Sequence, residues 1–165
     1  MRIGIGFDSH RFRTETGEAN GGPLRLGGVD VPFSRSLLGH SDADALLHAI
    51  TDALLGAAGL GDIGEMFPDT AEENRGRDSA EMLALAAAEV REQGYRIANI
   101  DTVVFAERPR LGPYKSAMKE RIAAILALPP ECVNVKAKTG EGVGVIGRGE
   151  AISAEAIALL EENRP

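Results

Sequence analysis

The chain has 165 residues, 44% of them hydrophobic, which is enough material for one domain with a sizeable buried core. Its net charge of −7, from 25 acidic against 18 basic residues with no basic cluster, speaks against nucleic acid or an anionic membrane as a partner. The lone Cys132 excludes an internal disulfide framework. No apolar run reaches the roughly 18 residues a membrane span needs, and the N-terminal apolar stretch is cut by Asp8 too early for a signal peptide, so a cytoplasmic location is expected.

In chain order, the apolar run Ile3 to Phe7 leads into Asp8-Ser9-His10 and reads as a strand. Residues 14–23 are a polar, glycine-rich loop. Leu24-Arg25-Leu26 and Val29-Asp30-Val31 flank Gly27-Gly28 and predict a tight hairpin, because paired glycines accept the positive φ of primed turns. A helix is predicted from about Asp42 to Ala58, with Ser41 as N-cap and Gly59 as stop. Residues 60–77 read as irregular. A second helix follows from about Ser79 to Gln93, capped by Asp78 and ended by Gly94. Ile97 to Ala106 is strand-like. Pro113 suits the first turn of a third helix that Pro129-Pro130 ends, and Val133 to Lys138 alternates as a strand should. The tail from Glu150 to Glu162 favours helix by propensity, but its apolar pattern fits neither period. Alternating helices and strands indicate an α/β or α+β domain with helices packed on one sheet.

All three histidines, His10, His40 and His48, fall within one short stretch. Asp8 and His10 are two apart on a strand and so share a face. His48 sits on the predicted helix with Asp44 and Asp52 one turn to either side, a polar stripe on an otherwise apolar helix. One carboxylate and two imidazoles would make an open three-ligand zinc site at about 2.0–2.2 Å, with a stripe carboxylate as the partner that orients His48. Three unrelated histidines and a solvated charged strip are the plainer alternatives. His40 and Ser41 would lie at a helix N-terminus, where exposed N–H groups favour phosphate. Asp62-Ile63-Gly64 with Phe67-Pro68-Asp69 offers carboxylates and amides for sugar-like hydroxyls. Lys138-Thr139-Gly140-Glu141 offers a cation, a hydroxyl and a hard oxygen ligand for Mg²⁺. Gly142 to Gly147 spells a dinucleotide-binding glycine pattern, but too little chain follows for its helix, strand and acidic residue, so it reads as a flexible loop.

Taken in order and spacing, Gly6-Phe7-Asp8-Ser9-His10, Leu38-Gly39-His40-Ser41-Asp42-Ala43-Asp44, His48 to Ala58, Gly61-Asp62-Ile63-Gly64 with Phe67-Pro68-Asp69-Thr70, Val133 to Thr139 and Gly147-Arg148-Gly149-Glu150 resemble the 2-C-methyl-D-erythritol 2,4-cyclodiphosphate synthases, the cyclases of the non-mevalonate isoprenoid pathway. The resemblance runs nearly end to end, over a single domain, 1–165. It implies an α/β (α+β) fold, a mixed β-sheet with helices packed on one face, assembled as a homotrimer about a threefold axis with active sites between subunits, and it makes the tail a strand. It implies one Zn²⁺ per chain on Asp8, His10 and His48, and Mg²⁺ or Mn²⁺ on Glu141. Ser9 and Arg148 belong to the implied substrate-contacting set, with His40 and Ser41 on the substrate phosphate. Asp62, Ile63 and Gly64 would hold hydroxyls, and Phe67 and Asp69 would line the methylerythritol pocket. Ala106, Pro109, Arg110 and Leu111, with Ala137, Lys138 and Thr139, would enclose the cytosine of a small-molecule cytidyl diphosphate substrate. His40 and Thr139 carry the implied catalytic roles, Thr139 by positioning the diphosphate.

The implied reaction is an intramolecular phosphoryl transfer that releases CMP; a metal-dependent phosphohydrolase is the alternative from the same ligands. The chain departs from the usual family pattern at Glu107, Arg108 and Arg110 in the cytosine loop and at Gly140 before Glu141. Phe7, Arg148 and Glu150, on predicted strands, are expected near the axis. There they would form either a site for an isoprenoid diphosphate or an Arg148–Glu150 staple of the trimer.

Overall fold

A computed structural model describes residues 1–13 and 23–163. The predicted loop at 14–23 therefore lies, but for Pro23, outside the described residues. Four strands form one sheet in the order β1 (Arg2–Arg11), β6 (Ala151–Glu162), β4 (Tyr95–Phe105), β5 (Val133–Lys138). β6 runs antiparallel to both neighbours and β4 runs parallel to β5, so the sheet is mixed. A separate hairpin pairs β2 (Leu24–Leu26) with β3 (Val29–Val31). Both of its turn glycines take positive φ, 61° at Gly27 and 71° at Gly28, as the sequence predicts.

Helix α1 (Ala45–Ala58) packs on β1 and β6; α3 (Ser79–Glu92) packs on α1 and β4; α4 (Lys115–Ile125) packs beside β5. Eleven of the fourteen residues of α1 are buried, which makes it the central helix of the core. It lies close to the sheet because β1 alternates glycine with larger residues. A Cβ on Gly4 would run into the Ala53 carbonyl oxygen, and one on Gly6 into that of Ala49. The helix backbone therefore rests directly on the strand backbone, and His48 stands beside the end of β1.

The start of α1 differs from expectation. Ala43 adopts φ 58°, a left-handed conformation that cannot belong to an α-helix, so the helix begins at Ala45 and its N-cap is Asp44 rather than Ser41. The Asp44 carboxylate accepts the Leu47 N–H of the first turn (3.1 Å). It also accepts the N–H groups of Gly27 (2.9 Å) and Gly28 (2.7 Å), which pins the hairpin across the helix N-terminus. The C-terminal stop stands as predicted, with Gly59 at φ 77°.

The irregular segment contains the one-turn helix α2 (Ile63–Met66), and the glycine-rich stretch forms a second short helix, α5 (Gly144–Gly147), in place of a loop. Among the described residues only β6 follows α5, so the dinucleotide reading stays excluded. The tail is strand throughout. Ile152, Ala154, Ala156, Ala158 and Leu160 point into the core while Glu155 and Ile157 point away. The sheet face opposite the helices is open. It is apolar along β1, with Ile3, Ile5 and Phe7 exposed by 73%, 71% and 58%, and polar beyond it, where Glu155 and the Asp101–Lys136 ion pair stand. Ile5 pairs across the strands with Ile157, and Ile3 with Leu159. No helix among the described residues is long and apolar enough to cross a membrane.

Candidate metal centre and substrate cavities

Period-two geometry at the end of β1 puts Asp8 and His10 on one side of the strand, and α1 brings His48 to the same place. The Asp8 Oδ2 lies 2.9 Å from His10 Nε2 and 2.9 Å from His48 Nδ1, and the two nitrogens are 3.2 Å apart. Ligand atoms of a tetrahedral zinc centre stand about 3.3 Å apart by simple geometry, so the triangle has nearly the right size. Among the described residues this is the group of acidic, histidine and cysteine side chains compact enough to hold a metal ion.

The outward nitrogens show why the cluster suits a cation. His10 Nδ1 donates to the Leu38 carbonyl (2.8 Å), held there because the Leu38 N–H donates to Arg11 at the end of β1 (2.9 Å). His48 Nε2 lies 2.8 Å from the Ser79 hydroxyl and 3.1 Å from the Ser41 hydroxyl. The Ser79 hydroxyl in turn donates to Asp42, so its oxygen is left to accept from His48. Both rings thus turn their proton outward, and two nitrogen lone pairs converge with a carboxylate oxygen. Such a set repels itself unless a proton or metal cation sits among its members.

The charges respond accordingly. Burial raises the Asp8 pKa, but hydrogen bonds and charge from His10 and His48 outweigh it and hold the carboxyl well below the usual range. Burial lowers the His10 pKa, yet the Asp8 hydrogen bond and charge raise it on balance.

Neither stripe carboxylate orients His48. Asp44 is committed to the hairpin and the helix cap, and Asp52 accepts the Ile63 N–H (2.8 Å), which seats α2 against α1. The orienting groups are Ser79 and Ser41, with Asp42 behind Ser79. Spacing along α1 could not reveal them, because Ser79 arrives from the N-terminus of a different helix.

A cavity of about 240 Å³ opens on the triangle. Asp8, His10 and His48 line it together with His40, Ser41, Ile63, Gly64, Phe67 and Asp69. Asp62 is not among the lining residues; it is the N-cap of α2 and accepts the Glu65 N–H, just before Ile63 and Gly64. His40 and Ser41 precede α1 by several residues and lie off its N-terminus, since Ala43 breaks the backbone; the expected helix-end phosphate site is corrected to a loop site. The Ser41 oxygen also accepts the Ala43 N–H (3.2 Å), which leaves the hydroxyl hydrogen available for an incoming anion.

A second cavity of about 530 Å³ gathers Ala106, Arg110, Leu111, Ala137, Lys138 and Thr139 at the C-terminal ends of parallel β4 and β5. Pro109 sits in the intervening loop, after a cis Arg108–Pro109 peptide bond. The atypical Glu107 has a structural task, accepting the Gly140 N–H (3.1 Å) and so tying the two walls together. The Thr139 hydroxyl donates to Glu141 (2.6 Å) at the mouth of this loop.

Two expected contacts lie elsewhere. Ser9 points away from Asp8 and His10, as alternation requires, into a cavity of about 960 Å³ that it shares with Arg11, Arg13, Arg35 and Arg148. Arg148 and Glu150 are not on strands: they follow α5, joined to each other within the chain by a two-pronged ion pair (2.7 and 3.1 Å).

A mixed sheet backed by helices, with an Asp-His-His cluster opening on a cavity, defines an α/β protein with a candidate metal centre. The YgbB family model matches residues 1–161. A 2-C-methyl-D-erythritol 2,4-cyclodiphosphate synthase of Chromobacterium violaceum is 56% identical over 162 residues, 98% of this chain and 99% of that one. Among solved structures, the bifunctional IspDF of Campylobacter jejuni superimposes with a TM-score of 0.90 at 43% identity. That match covers 98% of this chain and 42% of the larger protein. A 2C-methyl-D-erythritol-2,4-cyclodiphosphate synthase in its CDP-bound form superimposes with a TM-score of 0.86 at 39% identity, covering 97% of this chain and 100% of that one. The chain belongs to the YgbB family.

Proposed function

We propose that the chain converts 4-diphosphocytidyl-2-C-methyl-D-erythritol 2-phosphate into 2-C-methyl-D-erythritol 2,4-cyclodiphosphate and CMP, acting as a phosphorus–oxygen lyase of isoprenoid precursor synthesis. An oxygen of the 2-phosphate attacks the β-phosphorus, a new P–O bond forms, and the bond from that phosphorus to the bridging oxygen of CMP breaks. Phosphoryl transfer of this kind asks mainly for positioning and charge stabilisation.

Asp8, His10 and His48 are the residues to hold Zn²⁺, and Glu141 is the one to hold Mg²⁺ or Mn²⁺. When bound, these cations neutralise diphosphate charge that an acidic chain could not otherwise balance. His40 and Ser41 bind the 2-phosphate, Ser41 through its free hydroxyl hydrogen. Asp62, Ile63 and Gly64 hold the diol, while Phe67 and Asp69 close the methylerythritol pocket. Ala106, Pro109, Arg110, Leu111, Ala137 and Lys138 take the cytosine, and Thr139 aligns the diphosphate.

The observation that carries this reading is the placement of His40 and Ser41 on the same cavity as the Asp8-His10-His48 triangle. The two cavities share no lining residue. A substrate that needs both is accommodated if the second comes from a neighbouring subunit, and the apolar strip of Ile3, Ile5, Phe7 and Ile157 on the open sheet face suits burial in a homotrimer. We take the whole chain as one such domain, working in the cytoplasm. Ser9 and Arg148 then lie toward the trimer interior, not at the metal. Incubation with the cytidyl substrate and Mg²⁺, followed by phosphorus NMR, should show a cyclic diphosphate and CMP. Release of inorganic phosphate would instead establish the phosphohydrolase alternative.

A further inference from the structure

The three ligand-type side chains leave unexplained a second polar chain behind His48. The Ser79 side chain is fully buried and His48 nearly so. Ser79 is the first residue of α3, and its hydroxyl bridges His48 Nε2 (2.8 Å) to the Asp42 carboxylate. Asp42 is itself held by backbone donors. It accepts the N–H of Asp44 (3.2 Å) and the N–H of Ser79 (3.2 Å), so one carboxylate spans the start of α1 and the start of α3. Behind it stands the guanidinium of Arg25 from the hairpin, with Nε 4.0 Å from Asp42 and another nitrogen 3.9 Å from Asp78. That Nε is buried and makes no hydrogen bond; its nearest carboxylate is Asp30 of the same hairpin at 3.4 Å, with Asp42 next, so its charge is shared among these acids.

The direction of the chain is fixed by donor chemistry. A carboxylate only accepts, so the Ser79 hydrogen goes to Asp42. The Ser79 oxygen can then only accept from His48, which requires the proton on Nε2 and leaves the Nδ1 lone pair facing Asp8 and His10. A hydroxyl interposed between an imidazole and a carboxylate also polarises the ring, making Nδ1 a better donor to a cation.

We infer that Ser79 and Asp42 are positioning residues that lock His48 with its proton on Nε2 and its ring turned so that Nδ1 serves a metal. This rests on the reading of Asp8, His10 and His48 as a metal centre, but the proton assignment can be read separately.

The test uses the full chain with Ser79→Ala, Ser79→Thr and Asp42→Asn. Zinc affinity is measured by chelator competition and the His48 ring proton is followed by nitrogen-edited NMR. Ser79→Ala should bind zinc about 10–100-fold more weakly, the range typical of lost partners behind a metal-binding histidine. Ser79→Thr, which keeps the hydroxyl, should recover most of the affinity, and Asp42→Asn should show a smaller loss in the same direction. In both metal-free and zinc-loaded wild type, a slowly exchanging Nε2–H resonance is expected for His48, and it should lose its protection in Ser79→Ala. If Ser79→Ala binds zinc as tightly as the wild type with the resonance unchanged, the inference is overturned. If Ser79→Ala does not fold, wild-type zinc affinity in Asp42→Asn overturns it equally. A wild type that keeps the protected Nε2–H but takes up no zinc would remove the metal reading while leaving the proton lock in place.

Discussion

Replacing Asp44 by alanine separates scaffold from metal chemistry. The carboxylate accepts three backbone N–H groups, from Leu47, Gly27 and Gly28, and is entirely buried. Loss of an N-cap costs about 1 kcal/mol. The Gly27 N–H is buried and would be orphaned, at a cost of about 1–3 kcal/mol, and the partly exposed Gly28 N–H adds a fraction of that. Against this stands the desolvation of the carboxylate, which is large enough to push the Asp44 pKa above its ordinary value. The net loss is therefore about 2–4 kcal/mol, or about 5–15 °C in melting temperature for a chain of this size. Thermal unfolding followed by circular dichroism reads this directly. Zinc content of the folded variant should stay at the wild-type level, because the partners of His48 are Asp8, Ser41 and Ser79. An Asp44→Ala protein with unchanged melting and lost zinc would refute the reasoning and return Asp44 to the role of orienting His48.

Gly6→Ala would drive a methyl group into the Ala49 carbonyl and lift α1 from β1; zinc uptake and melting temperature should fall together, and a variant that keeps both would show the close approach to be dispensable. Glu141→Gln should raise the Mg²⁺ or Mn²⁺ concentration needed for CMP release while zinc analysis stays unchanged; loss of zinc would place Glu141 at the wrong metal. Because the metal-free His10 pKa lies above its ordinary 6.5, a proton competes with the cation for Nε2. Zinc uptake at neutral pH should thus release protons and weaken as pH falls, which calorimetry in buffers of different ionisation heat will show. Uptake without proton release would contradict the arrangement around Asp8.

Much of the site was legible because its residues obey short periods. Asp8 and His10 share a strand face, His48 belongs to a helix whose apolar faces announced its burial, and the glycine pair between β2 and β3 named its own turn. What was not legible depends on contacts between distant segments. The stripe of Asp44, His48 and Asp52 suggested a common purpose, yet each member serves a different element: the hairpin, the metal triangle and α2. Ser79 looked like the first residue of an ordinary helix, and nothing local marks it as the partner of His48. The tail resisted a period because the outward face of β6 interrupts its polar residues with apolar ones. The inward face is buried by α1, and the other sets Ile157 and Leu159 beside Glu155 on the open side of the sheet, so strict alternation of polarity is lost. Ala43 hid the true start of α1, since a left-handed alanine leaves no compositional trace.

The seating of α1 on Gly4 and Gly6 bears on how such a protein drifts over generations. Main chain touches main chain there, with no side chain between to act as a shim. The height of His48 above Asp8 and His10 is therefore set by peptide groups, whose dimensions no substitution alters. Leu46, Ile50 and Leu54, all buried on the same helix, can exchange for other apolar shapes and shift its far side while the imidazole keeps its station. Divergence in the core and constancy at the metal are thereby decoupled, and the tolerance of the one depends on two positions that admit no side chain at all.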